Sequence, residues 1–217
     1  MPPLISKSRD SGSKAPQPKP GQRIGLLGGS FNPAHDGHVE ISELALAKLG
    51  LDEVWWLVSP QNPLKSTAGM APLDERMMSA RRATQDLPIV VTDIERELGT
   101  RYTVDTLEAL CQRYPEVRFV WLMGADNLYQ VHRWHGWSRI FHTVPVAVFA
   151  RPTYSLRAEQ ARAARRFARY RLPSFRGRRL VDQRPPAWVL FKRPHNPQSA
   201  TRLRQGVRLG GVRVQQS

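Results

Sequence analysis

Apolar residues come in short bursts along this chain, separated by stretches with helical spacing. Ile24 to Leu27 is a continuous apolar run broken by Gly28-Gly29-Ser30, which predicts a strand at 24–28. Ile41, Leu44, Ala45 and Leu49 then recur at helical intervals before Gly50, predicting a helix over about 38–49 with a glycine stop. Glu53 to Val58, centred on Val54-Trp55-Trp56-Leu57, reads as a second strand. Pro72 to about Asp86 reads as a helix with proline in its first turn, and Pro88 to Thr92 as a third strand. Thr103 is placed to cap a helix ending near Tyr114, ahead of Pro115. Val117 to Met123 is a fourth strand that runs into Gly124-Ala125-Asp126 and a helical stretch, and Val144 to Ala150 is a fifth. The Ala/Arg-rich 156–170 predicts a helix, Ala187 to Phe191 a late short strand, and Ser199 to Gln205 a final helical turn. Strands alternating with helices call for a doubly wound α/β fold, a parallel sheet with helices on both faces in a single domain. Ligands bind such sheets at the carboxyl ends of the strands. Gly28-Gly29-Ser30, Ser59-Pro60, Gly124-Ala125-Asp126 and Arg151-Pro152 each follow a strand, so they are expected to share one site.

Composition narrows the setting. Residues 1–22 are rich in Pro, Ser, Lys and Gly with few bulky apolar residues, and read as a disordered leader. The domain is expected over 23–205, with 206–217 a short C-terminal tail. A single cysteine, Cys111, excludes an internal disulfide and fits a reducing compartment. No apolar stretch approaches the ~18 residues of a membrane helix, and the N-terminus lacks the apolar core of a secretory signal. The expectation is a cytoplasmic protein that does not engage a membrane. The net charge of +15 lies wholly in the last third: 1–150 balance at 16 Lys/Arg and 16 Asp/Glu, whereas 151–217 carry 17 basic residues against Glu159 and Asp182. That block suggests an anionic partner or a solvated basic surface.

The chemistry concentrates in residues 24–38, where a strand, a glycine turn and a helix start follow one another. Glycines let the backbone approach an anion closely, and a helix N-terminus offers free N–H groups and the positive end of its dipole. The segment lacks the G-x-x-x-x-G-K-[ST] phosphate loop and does not fit G-x-G-x-x-G. A zinc site at His35 and His38 needs further ligands, and neither H-E-x-x-H nor a cysteine pair supplies them. No metal-ligand set is assigned.

His35-Asp36-Gly37-His38 resembles the (H/T)-x-G-H signature of the nucleotidyltransferase superfamily. The longer Gly28-Gly29-Ser30-Phe31-Asn32-Pro33-Ala34-His35-Asp36-Gly37-His38 is similar to its nicotinate-nucleotide adenylyltransferase branch. Further segments resemble that branch in order: Ser59 to Lys65; Glu95-Arg96-Glu97-Leu98 with Arg101 to Leu107; Leu122 to Leu128 with Trp134-His135; Arg151-Pro152; and Ser199-Ala200-Thr201-Arg202-Leu203-Arg204. The chain departs from the pattern at Arg101, where serine is usual, and in the glycine-broken Gln205 to Arg213.

The resemblance implies a Rossmann-like fold and transfer of the adenylyl group of ATP to nicotinate mononucleotide, giving deamido-NAD and pyrophosphate. The nucleophile is then an already ionised phosphate oxygen, so no general base is required, and catalysis reduces to aligning two anions and neutralising the leaving group. On that reading His38, His35, Lys65 and Arg204 are the catalytic groups, and a histidine beside phosphates is biased towards its protonated form. ATP is held by Gly28, Gly29, Ser30, Phe31, His35, His38, Ser199, Thr201 and Arg204. The mononucleotide is held by Asn32, Thr103, Asp126, Trp134, His135 and Arg151, with Trp134 stacking on the pyridine and Asp126 either on ribose or as a helix cap. Mg2+ is expected to arrive with ATP through phosphate oxygens and water. Nicotinamide mononucleotide and phosphopantetheine are the alternative acceptors. A nucleic-acid-binding protein accounts for the arginines of 157–179 but gives His35, His38 and Trp134 no role, so nucleic acid is not the expected partner. Oligomeric state is left open.

Overall fold

The computed structural model describes residues 15–60, 69–150 and 158–192. Seven strands form one sheet: β1 (Arg23–Gly29), β2 (Glu53–Val58), β3 (Ile89–Thr92), β4 (Arg118–Gly124), β5 (Val146–Ala150), β6 (Arg171–Leu172) and β7 (Trp188–Lys192). Their spatial order is β3-β2-β1-β4-β5-β7-β6, and every pairing is parallel. From β1 the chain winds outwards through β2 and β3, then returns to the other side for β4 and β5. This reversal opens a crevice at the carboxyl ends of β1 and β4.

The helices are α1 (Asp36–Leu49), α2 (Leu73–Ala83), α3 (Ile94–Leu98), α4 (Thr103–Arg113), α5 (Ala125–Gln130), α6 (Trp137–Thr143) and α7 (Arg162–Arg166). The central strands are apolar throughout because both faces are covered. On one side Leu27, Trp56, Leu122 and Phe149 pack with Ala45 and Leu49 of α1 and Met77 and Ala80 of α2. On the other, Leu26, Trp55, Trp121 and Val148 pack with Leu107 of α4, Leu128 of α5 and Ile140 of α6. Trp55 and Trp56, adjacent in sequence, are each fully buried on opposite faces. The expected doubly wound sheet is thus the observed one.

Several boundaries differ from the sequence reading, for identifiable reasons. The 156–170 helix is broken twice: helical residues 158–159 give way to a turn at Gln160-Ala161 before α7, and α7 ends at Arg166, where a 3-10 turn, Ala168–Tyr170, leads into β6. Phe167 is the second break. Its ring is buried and stacks on Phe141 at 4.4 Å, while its carbonyl accepts the Trp188 indole N–H at 2.8 Å. The same carbonyl also accepts the Tyr170 N–H at 3.0 Å, the i to i+3 bond of the 3-10 turn that replaces the helix. The short α3 and the two-residue β6 were not anticipated, being too brief to show a period. The 1–22 segment is not wholly a leader outside the fold. The Tyr114 hydroxyl donates to the Pro16 carbonyl at 2.8 Å and the Gly21 N–H to Glu116 at 2.8 Å, so ordered packing begins before residue 23. The predicted turn at 199–205 and the 206–217 tail lie outside the described residues.

Candidate active site

β1 leaves the sheet through Gly28-Gly29-Ser30. A Cβ at Gly28 would stand 2.5 Å from the Trp121 ring of β4, so glycine here makes room for the indole to lie across the end of β1 at the crevice. Phe31 then turns the chain with a φ of +46°, in the left-handed region that an aromatic residue rarely adopts. Packing compensates. The Phe31 ring is 1% exposed and stacks on Trp56 at 4.7 Å. His38 is tilted against the Phe31 ring at 4.7 Å and meets the Trp56 ring edge-on at 5.8 Å, and His35 stacks on His38 at 3.8 Å. The four rings thus form one cluster, buried at Phe31 and Trp56 and reaching the cavity at His35 and His38.

His35 is the N-cap residue of α1 and His38 its third helical residue. The His35 backbone N–H donates to His38 Nδ1 at 3.3 Å. In that bond Nδ1 is the acceptor, so the ring carries its proton on Nε2. The helix itself is pinned to β2: the Ser42 hydroxyl donates to the His38 carbonyl at 2.9 Å and accepts the Trp56 indole N–H at 2.8 Å.

Beneath this end lie two buried ionisable groups that sequence reasoning gave no role. Arg76 of α2 is 2% exposed and donates to the carbonyls of Ala71, Ser30, Ser59 and Pro60 at 2.7–3.1 Å. Burial pulls its pKa below the ordinary arginine value. Its signal was available: Leu73, Arg76, Met77 and Ala80 fall on one helical stripe, and a charge in an apolar stripe asks for a partner. Glu95 of α3 is buried, and desolvation raises its carboxyl to about 7, against the smaller opposing effect of hydrogen bonds from Ser59 and Thr106. Ser59 also donates its N–H to the Gly29 carbonyl at 3.0 Å. It thus ties the exits of β1 and β2 to α3.

The far end of the crevice is assembled from two distant segments. Thr103 is the first residue of α4, whose N-cap is Tyr102 and not Thr103 as expected. The Tyr102 ring stacks on exposed His135 at 4.4 Å, with the Arg101 guanidinium 5.9 Å from the Tyr102 ring centre. Trp134 is half-buried against the core beside them. Gly124 is the N-cap of α5, so Asp126 does not cap it; Asp126 lies exposed in the first turn, where its charge suits the helix dipole.

Both ends open into one cavity of about 950 Å³. Gly28, Gly29, Ser30, His35, His38, Thr103, Asp126, Trp134 and His135 all line it, as do Ser59, Glu95, Arg101 and Tyr102. Two expected contacts do not. The Phe31 side chain faces the core, and Asn32 is turned away, its amide donating to Gly69 at 3.1 Å and its oxygen accepting the Ala71 N–H at 3.2 Å. Lys65, Arg151, Ser199, Thr201 and Arg204 lie outside the described residues. Among the described residues no group of three or more His, Cys, Asp or Glu is placed to hold a metal ion.

Comparison with known proteins agrees with this geometry. The cytidylyltransferase-like family model matches residues 26–206. A protein of Parvibaculum lavamentivorans named probable nicotinate-nucleotide adenylyltransferase is 52% identical over 186 residues, 86% of this chain and 92% of its own length. The chain belongs to the nicotinate-nucleotide adenylyltransferase family. A family member from Caulobacter sp. is 53% identical over 182 residues, covering 84% of this chain and 96% of its own. The same fold is seen in Plasmodium falciparum nicotinic acid mononucleotide adenylyltransferase complexed with NaAD. The two superpose with a TM-score of 0.61 at 15% identity over 81% of this chain and 77% of that one. Like its family, the protein is a nucleotidyltransferase of NAD biosynthesis, and among its described residues no helix is long and apolar enough to cross a membrane.

Proposed function

We propose that the protein transfers the adenylyl group of ATP to nicotinate mononucleotide by direct in-line attack, without a covalent intermediate. The observation that carries this reading is the single cavity with a histidine and glycine cradle at one end and an aromatic shelf at the other. A phosphate oxygen of the mononucleotide forms a bond to the α-phosphorus of ATP. The bond from that phosphorus to the bridging oxygen breaks, and pyrophosphate departs with the electron pair. The attacking oxygen is ionised at neutral pH, so no side chain has to remove a proton. His38 donates from Nε2 to the transferring phosphoryl group and His35 to the neighbouring phosphates, while the N–H groups at the start of α1 face the same anion. Lys65 and Arg204, with the hydroxyls of Ser199 and Thr201, add charge and donors to the leaving group. At the other end Trp134 stacks on the pyridine, and Asp126 faces the ribose hydroxyls. Arg151, following β5, takes the mononucleotide phosphate.

Mg2+ belongs to this reading as part of the ATP, held by phosphate oxygens and water. No step is routed through a protein-bound ion. A cytoplasmic setting follows from the lone cysteine and the substrates. The test is pyrophosphate release with ATP and each acceptor in turn. Nicotinate mononucleotide is expected to be turned over well ahead of nicotinamide mononucleotide, and phosphopantetheine not at all. Equal turnover of the amide nucleotide would remove the nicotinate assignment.

A further inference from the structure

The carboxyl ends of parallel strands leave backbone carbonyl oxygens pointing into the crevice, and an anion bound there is repelled by them. At β1 and β2 this problem is met by a single side chain. Arg76 takes the carbonyls of Ser30, Ser59 and Pro60, and that of Ala71 at the entrance to its own helix. Four of its five N–H donors are committed to backbone oxygens of three separate segments. The arrangement is specific to the planar fork of arginine; a lysine ammonium cannot reach all four.

Among the described residues nothing neutralises the charge itself. Arg76 forms no ion pair with a described carboxylate. A guanidinium 2% exposed without a counter-ion is costly, and carbonyl dipoles offset only part of that cost. Arg76 does not line the cavity, whereas Ser30 and Ser59, which it holds, do. Its position is directly behind the cradle.

We propose that Arg76 is the positioning residue of the phosphate end, locking the exits of β1 and β2 by their carbonyls and taking the phosphate chain of the bound nucleotide as its counter-charge. The inference rests on the triphosphate half of the proposed function and is independent of the acceptor. It accounts for the buried charge, the fork and the placement together. Because Arg76 acts through the loops of β1 and β2, its effect is confined to the ATP side.

The test compares Arg76→Met and Arg76→Lys with the unaltered protein, below the unfolding temperature of each. Two quantities are read: the KM values for ATP and for nicotinate mononucleotide, and the thermal shift produced by inorganic tripolyphosphate. Arg76→Met is expected to raise the ATP KM by about tenfold or more, leave the mononucleotide KM within about twofold, and lose most of the tripolyphosphate shift. Arg76→Lys keeps the charge without the fork and should fall between the two. An unchanged ATP KM, or equal rises in both KM values, would overturn the proposal, the second outcome marking a merely structural residue. If Arg76→Met does not fold, Arg76→Lys decides by the same two outcomes. If the unaltered protein does not use nicotinate mononucleotide, the acceptor assignment fails, and the tripolyphosphate shift still tests Arg76.

Discussion

The two ends of the crevice are built in different ways. Among the described residues the phosphate end comes from one continuous segment, Gly28 to His38, backed by a cluster of packed rings and by a buried guanidinium on four carbonyls. The far end joins Tyr102-Thr103 to Trp134-His135, with Arg101 and His135 exposed and the Tyr102 and His135 rings stacked at 4.4 Å. A phosphate chain is the same on every nucleotide, so its site gains from rigidity and fixed charge. An acceptor has to be told from its analogues, and that falls to rings and donors at the rim. The contrast implies that changes at the phosphate end act on kcat or ATP, whereas changes at the far end act on the acceptor's KM.

The sharpest way to break the contrast is His38→Ala. Loss of an Nε2–H donor aimed at the reacting phosphoryl group should lower kcat by roughly 10²–10³-fold while ATP binding changes far less. Steady-state kinetics with calorimetric ATP titration separates the two, and an unchanged kcat in a folded variant removes His38 from the chemistry. Next in size is Glu95, which stands between the ends. Its folded pKa of about 7 lies above the ordinary 4.5, so the folded state keeps the proton longer than the unfolded chain. Its contribution is therefore fully favourable below about pH 4.5 and is lost as pH rises through 7, a change on the order of 3 kcal/mol. Glu95→Gln removes this dependence, so the variant should gain stability over the parent at pH 8 and little at pH 4.5, read by denaturant unfolding at each pH. A parallel pair of pH profiles would contradict the buried-carboxyl account.

Trp134→Ala comes third. Losing one stacking face should raise the acceptor KM by about tenfold, with the ATP KM held within about twofold. A rise in ATP KM instead would erase the division between the ends. The smallest effect is expected from Asn32→Ala, which frees the 69–71 backbone and should cost about 1 kcal/mol in unfolding free energy without altering the acceptor KM.

How legible each end was in sequence follows the same division. The phosphate end could be read because its strand, glycine turn and helix start are contiguous, and each carries a local backbone reason. The sheet was readable because Val54 to Leu57 and its counterparts are apolar at every position, as two covered faces demand. The far end was visible only through resemblance, since nothing local to Thr103 says that His135 will lie beside Tyr102. Phe31 and Asn32 show the limit inside a readable motif. Their neighbours line the cavity, yet one side chain is drawn into the core by Trp56 and the other into a backbone tie at 69–71. Arg76 and Glu95 were missed because a buried charge is recognised by what surrounds it, and its partners here are carbonyls and hydroxyls from segments far apart in sequence.

The central claim is a single direct transfer between two substrates held at opposite ends of one crevice. It is tested most directly by the stereochemistry at phosphorus, using ATP carrying a chiral α-thiophosphate and nicotinate mononucleotide as acceptor. One in-line displacement predicts inversion of configuration in the thio-deamido-NAD formed. Retention would mean two displacements through a covalent adenylyl-enzyme and would contradict the account.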